Sequence, residues 1–232
     1  MSAQKDGPKS SWFTPLPLRG NAALDQLAEL GAPAEMVAAR EHAPQGECIA
    51  WGIPFLAGDP LALADKPERV AFDPLQARWL VFLHTSDLRP LHAGPGGFIS
   101  PMRGSGQLGE TAARYTFLYA DGSEASVPIL RRHQLGAFSR HWGENCFQAV
   151  ADHKPRPVRA SHEQPHPAWG FSQTRVNAAD WSRWTSWLWA WENPHPERPV
   201  VGVRFEPVSG LVVISAITAG RVEAHPLRWE PR

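Results

Sequence analysis

Two stretches of this chain hold residue types at spacings that serve catalysis or cofactor binding elsewhere. His162-Glu163-Gln164-Pro165-His166 sets two histidines four residues apart around a glutamate. On a helix, that spacing turns both imidazoles toward one zinc ion and leaves the carboxylate as base. Here Pro165 lies inside the motif, Pro167 follows it, and Pro155 and Pro157 precede it. Proline removes a helical donor and clashes with the turn before it, so the stretch reads as loop and its spacing as accidental. Gly104-Ser105-Gly106-Gln107-Leu108-Gly109 matches GxGxxG. A dinucleotide site needs a strand before that motif and a helix after it, so that the helix N-terminus meets the pyrophosphate. A Gly/Pro loop precedes it here and a strand is expected to follow, which argues against nucleotide binding.

The remaining polar chemistry is dispersed. Among the ten histidines, His84 ends an apolar run, His92 follows in a loop, and His133, His141 and His153 form a looser series. None has a compelling ligand spacing, and His84 reads as a structural residue at a strand end. Asp87, Glu110 and Asp121 could ligate calcium from loops, but Asp121-Gly122 is better explained as a turn. No cofactor is expected, with structural calcium as the one allowance. There is no GxSxG nucleophile elbow and no obvious pair of strand-end carboxylates for glycoside hydrolysis.

The tryptophans carry the strongest pattern. Trp187, Trp189 and Trp191 recur with period two, following Trp181 and Trp184 at spacings of three. In a strand, residues two apart share a face, so three indoles would stand in a row. Such a row either fills a sandwich core or forms a platform on which sugar rings stack. Core is the preferred reading, because indoles are highly buried on average and an exposed row would demand a partner. It places Leu188, Ala190 and Glu192 on the outward face.

The elements that would position these residues are mostly strands. The chain has 232 residues, 11 Trp, 23 Pro and 19 Gly, and a formal net charge of zero. That length supports a core without metal or disulfide staples. Many prolines beside many tryptophans suggest a folded all-β domain with long ordered loops. Neutral charge gives no case for nucleic acid or an anionic membrane. No apolar run is long enough to span a bilayer. The polar start lacks an apolar leader core, so a cytoplasmic address is the default unless a signal was removed. Cys48 and Cys146 are either one bridge or two buried thiols, and a reducing cytosol favours thiols.

Residues 24–40 read as helical in two pieces, with Pro33 opening the second. Residues 49–56, broken by Pro54, read as an edge strand or loop entry. Residues 78–85 are a continuous apolar run, suited to a buried central strand. Residues 114–120 and 123–130 flank Asp121-Gly122, the signature of a type I′ hairpin. Residues 184–191, 200–206, 211–218 and 222–227 read as further strands, and 86–110 and 154–170 as long loops. Short strands separated by turn signals point to an antiparallel β-sandwich. The expected organisation is an N-terminal tail with short helices at 1–47 packed on a sandwich at 48–232.

The ordered set Cys48-Ile49-Ala50-Trp51-Gly52-Ile53-Pro54-Phe55, Trp79-Leu80-Val81-Phe82-Leu83-His84-Thr85, Tyr115-Thr116-Phe117-Leu118-Tyr119-Ala120-Asp121-Gly122-Ser123, Trp191-Glu192-Asn193-Pro194-His195-Pro196 and Ile214-Ser215-Ala216-Ile217-Thr218 resembles the galactose-binding-like (jelly-roll) β-sandwich domains attached to bacterial glycoside hydrolases and polysaccharide-degrading enzymes. In those domains an apolar strand ending near a Leu-His pair precedes a Tyr-x-Asp-Gly hairpin. A Trp-x-Asn-Pro strand end and an Ala-Ile-Thr strand then close the sandwich. The resemblance spans roughly residues 48–219, and the 24–40 helical stretch and the 154–170 loop depart from it. It implies a jelly-roll fold and a non-catalytic, carbohydrate-associated role, and it brings no ligand residue with it.

Side-chain chemistry supplies the site candidates. Trp142, Trp169 and Trp181 offer stacking faces in or beside loops, and Arg103, Glu110 and His141 offer hydrogen bonds to hydroxyls. The expected partner is a glycan or a carbohydrate-active catalytic domain. The first alternative is a structural domain that packs against another domain or against its own copy. The second is a hydrolase or lyase using His84, His141 or His162 with nearby carboxylates. Convergence of histidines and a carboxylate in one pocket would favour this second alternative.

Overall fold

The computed structural model describes residues 10–90, 95–97, 109–140, 146–149, 165–166, 170–171 and 182–227. The chain runs through β1 (Phe13–Leu16), a 3₁₀ turn (Leu24–Ala28), α1 (Ala34–Ala39) and a second 3₁₀ turn (Arg40–His42). Then come β2 (Gly46–Ala50), β3 (Ile53–Ala57), β4 (Leu61–Leu63), β5 (Glu68–Leu75), β6 (Trp79–Ser86), β7 (Thr111–Tyr119) and β8 (Glu124–Leu130). The rest are β9 (Phe147–Gln148), β10 (Pro165–His166), β11 (Gly170–Phe171), β12 (Trp187–Glu192), β13 (Val200–Pro207) and β14 (Val212–Gly220).

The protein is an antiparallel all-β sandwich. One sheet has the order β1-β14-β6-β12-β9, with β4 also on β14, and the facing sheet has the order β5-β13-β7-β8. As the apolar run predicts, β6 is central, paired with β14 on one side and β12 on the other. The inter-sheet core holds Leu80, Phe82, Tyr115, Phe117, Trp191, Val203, Phe205, Ile214 and Ile217. Burial of such side chains contributes roughly 1.5–3 kcal/mol each.

A third layer covers the back of the first sheet. The β2–β3 hairpin packs Cys48, Trp51, Ile53 and Phe55 against Trp79, Val81, Leu83, Leu188, Ala190 and Ala216. Beside it, Leu27 and Met36 from the helical segment meet Ala62, Phe138, Trp184, Leu211 and Val213. The sheet is therefore apolar on both faces, and every residue of β6 and β14 is buried. A bulge between Ile214 and Ala216 shifts the alternation of β14, so Ile214 and Ile217 both face the inter-sheet core while Ala216 faces the hairpin. Bulges exist to re-aim side chains in this way.

Several local expectations need correction. The 49–56 stretch is not one edge strand. It belongs to two strands turned at Trp51-Gly52, whose φ angles are 56° and 73°. This is the left-handed pair that a two-residue primed turn requires, at the cost of placing a large L-residue there. Burial of the indole offsets that cost: its Nε1 donates to the Gln148 carbonyl at 3.0 Å and its ring meets Phe147 edge-on. At Asp121-Gly122, by contrast, only Gly122 is left-handed. Gly122 N donates to Tyr119 O and Tyr119 N to Ser123 O, giving a three-residue loop with a bulge in place of the type I′ turn. A Cβ at Gly122 (φ +82°) meets nothing within 4 Å. Gly122→Ala therefore tests backbone strain alone, and denaturant unfolding is expected to show a loss of ~1 kcal/mol.

The 24–40 stretch is 3₁₀ in its first piece and α-helical in its second, with Pro33 immediately before α1. Residues 222–227 form no strand: the chain leaves the ladder at Gly220, and Pro226 lacks the donor a ladder needs. β1, β4 and β5 are additional strands. Leu188 and Ala190 do not point to solvent but lie under the hairpin. Cys48 and Cys146 are buried and are not joined in a disulfide, and burial pushes the Cys48 thiol up to about 11.

Candidate functional site

The registers bring several chain segments to one end of the sandwich. Ser86 at the end of β6 pairs with Val212 at the start of β14, and His84 pairs with Trp187 at the start of β12. In the facing sheet, Thr111 at the start of β7 pairs with Leu130 at the end of β8. Residues 87–90, 109–110, 131–140, 146–149, 182–186 and 207–211 all flank this end.

A buried guanidinium joins the two sheets there. Arg131, just past β8, donates from Nη2 to Asp87 Oδ1 at 2.8 Å and to Ser209 O at 2.8 Å. Its Nη1 donates to Ser86 Oγ at 2.9 Å and to Asp87 O at 3.1 Å. Glu110 Oε2 stands 3.4 Å from Nε, within ion-pair range but not aligned as a hydrogen bond. Both Arg131 and Asp87 are buried. A buried charge survives only when paired and hydrogen-bonded, and the planar fork of arginine suits it to such a site. Gly210 (φ +65°) makes room for the pair, since a Cβ there would fall 2.6 Å from both Arg131 Nη2 and Asp87 Oδ2.

One turn deeper lies His84, wholly buried between the sheets. Its Nε2 is 2.9 Å from the Gln134 carbonyl, and its Nδ1 is 3.1 Å from Tyr115 Oη. A carbonyl only accepts, so Nε2 carries the proton and Nδ1 accepts from the tyrosine hydroxyl. Burial holds the imidazole neutral and pulls its pKa down to about 4. This bears out its reading as a structural histidine.

The tryptophan row is core. Trp191 stacks on Phe117, their centroids 3.5 Å apart and planes 4° from parallel. Trp189, half-buried, lies against Phe82 and His84. Trp187 donates from Nε1 to the Ala137 carbonyl at 2.8 Å, and a side chain at Gly136 would overlap its indole. The row is not a stacking platform.

Of the predicted ligand residues, Glu110 faces Arg131 at this end. Arg103, His141, Trp142, Trp169 and Trp181 lie outside the described residues, as does the Gly104–Leu108 part of the glycine motif. Gly109 opens directly into strand β7, as expected. Of the HExxH motif, Pro165 and His166 form strand β10 against β11, which is extended backbone and not the helix a zinc site requires. Asp87 and Glu110 are engaged by Arg131, while Asp121 caps the hairpin at the opposite end by accepting from Ser123 N. These three carboxylates do not form a calcium cage. Among the described residues, no three His, Cys, Asp or Glu side chains are grouped to hold a metal ion. His84 sits in the core, His195 packs beside Tyr119 and His225 against Trp79, while His162 of the predicted enzymatic set, like His141, lies outside the described residues.

Arg131 was not legible as a site residue, because nothing in Leu130-Arg131-Arg132-His133 marks one arginine for burial. Exposed apolar side chains adjoin the same end: Leu88 follows Asp87, and Val208 precedes Ser209. Trp12 is the exposed indole among the described residues, at 56%. No protein-family model matches the chain, and no curated protein matches it in sequence.

Proposed function

We propose that the protein is a non-catalytic, carbohydrate-associated β-sandwich module of the galactose-binding-like kind, which binds a glycan with side chains from the chain segments whose flanks lie at the Arg131 end. One observation carries this reading. All six predicted ligand residues fall in chain segments whose flanks lie at that single end. Arg103 and Glu110 lie between β6 and β7, His141 and Trp142 between Arg140 and Cys146, and Trp169 and Trp181 between Ala149 and Ser182. Loops that bind ligands are usually presented by a rigid scaffold, and the buried Arg131–Asp87 pair makes this end rigid. Exposed Leu88 and Val208 add apolar surface beside it. Indole faces complement the apolar C–H faces of sugar rings, and nearby polar groups fix the hydroxyls.

Intrinsic tryptophan fluorescence, titrated with a panel of soluble polysaccharides and oligosaccharides, tests it. A saturable blue shift with one glycan class is expected, and Trp142→Ala or Trp169→Ala should remove it. No shift with any glycan, together with a mass that rises with protein concentration, would replace this reading with self-association through a structural domain.

A further inference from the structure

The described residues that flank the Arg131 end carry five arginines, Arg89, Arg131, Arg132, Arg140 and Arg183, against two carboxylates, Asp87 and Glu110. Both carboxylates face the buried Arg131 guanidinium. Arg89 Nη1 reaches Asp87 Oδ2 only at 3.9 Å. The opposite end has the reverse balance. There Arg78 pairs with Glu192 at 3.3 Å, and Arg198 lies 3.6 Å from Asp121 and 3.7 Å from Glu197. The chain segments between the flanks of the Arg131 end, at 91–108, 141–145 and 150–181, hold five basic and four acidic residues, so their composition does not offset the excess. A chain of zero net charge therefore carries an excess of arginine at this end.

Two of these arginines come together. Thr185 N donates to Phe138 O at 2.6 Å, and Trp187 Nε1 donates to Ala137 O at 2.8 Å. The two runs therefore pass in opposite directions, which brings Arg183, two residues before Thr185, alongside Arg140, two residues after Phe138. The Trp184 ring lies against Phe138 between them. Arg140 Nη1 donates to the neutral Gln148 amide oxygen at 3.3 Å, and Arg183 is exposed. Among the described residues, neither has a carboxylate within 4.0 Å. Neighbouring guanidinium groups repel, and an anion placed between them replaces that repulsion with attraction on both sides. The planar fork of each guanidinium matches the paired oxygens of a carboxylate or a sulfate.

Building on the glycan reading above, we infer that the ligand is an acidic glycan and that Arg140 and Arg183 take its carboxylate or sulfate group. A neutral sugar would use the stacking side chains and leave both guanidinium groups without a counter-charge. An acidic sugar supplies one anionic group beside an apolar ring face, which a local arginine pair next to indoles can hold. Nucleic acid fits less well, because its binding rests on many contacts along a charged backbone, and a chain of zero net charge has no long-range attraction for it.

Affinity electrophoresis of the full chain tests this with matched polymers. Polygalacturonate, alginate and hyaluronate are each run beside their carboxyl-reduced forms, carrageenan beside its desulfated form, and poly-L-glutamate as a polyanion without sugar. At least one acidic polysaccharide should retard the protein, its neutralised form should bind at least about tenfold more weakly, and added salt should weaken the acidic polymer alone. Whether the carboxylated or the sulfated polymers bind identifies the anionic group. Arg183→Gln changes an exposed side chain, so its unfolding midpoint should stay put while affinity falls about tenfold, the loss of one charge-assisted contact. Arg140→Gln should lower affinity similarly, and Arg78→Gln at the opposite end should not. A neutralised polymer that binds as well as its acidic parent would overturn the inference and leave the glycan reading standing. Equal binding of poly-L-glutamate, or undiminished affinity in Arg183→Gln, would also overturn it. Failure of every polysaccharide to bind would overturn both.

Discussion

Asp87→Ala is expected to remove about 3–5 kcal/mol of folding stability, a large part of what holds a domain of this kind together. The substitution deletes one small side chain, but the effect lies in what remains. Arg131 is buried and brings a guanidinium charge with it. Without Asp87 Oδ1 at 2.8 Å, its partners are neutral carbonyls, the Ser86 hydroxyl and Glu110, which approaches Nε at 3.4 Å without hydrogen-bond alignment. Neutral partners compensate a buried cation poorly. Removing both members is different. Asp87→Ala combined with Arg131→Met leaves no buried charge in the pair and fills the guanidinium stem with a flexible apolar chain. Urea unfolding of the wild type, both single variants and the double variant closes the cycle. The double variant should be markedly more stable than the sum of the single losses implies. Additive losses would mean that the two charges are solvated independently, and would remove the clamp from the account of this end.

Legibility followed the physical strength of each signal. The run at 78–85 reads as a central strand because Trp79 to Leu83 are continuously apolar, and the strand is buried on both faces. The hairpin around Gly122 was legible because a turn glycine sits between two apolar stretches, although its loop proved one residue longer. The third layer was not legible. Nothing in the sequence says that the Leu188 and Ala190 face needs a cover, because alternation reports one buried face and is silent about the second. The β2–β3 hairpin escaped because its turn places a tryptophan where glycine or asparagine is expected. β5 carried a short period-two signal in Val70 and Phe72, which face the core between Arg69, Ala71 and Asp73. Pro74 at its end obscured that signal. The buried Arg131 had no local signature at all: its burial is set by Asp87, Ser209 and Glu110, all distant in sequence.

Trp191→Ala is expected to be as damaging as loss of the clamp, at about 3–5 kcal/mol, and for a different reason. The indole lies flat on Phe117 from the facing sheet, so its removal opens a void between two sheets that long ladders hold apart. Ladders prevent collapse, and a cavity that cannot collapse keeps its full cost. Trp191→Phe, which retains part of the stack, should lose clearly less. The same variants separate the two readings of the tryptophan row. In the core reading, Trp191→Ala lowers the denaturation midpoint sharply while any glycan response of the folded fraction persists. In the platform reading, stability would be nearly unchanged and binding lost. A stable Trp191→Ala variant would refute the packing described for β12 and return this row to the list of binding surfaces. The expected midpoint loss would confine the search for ligand contacts to the chain segments whose flanks lie at the Arg131 end.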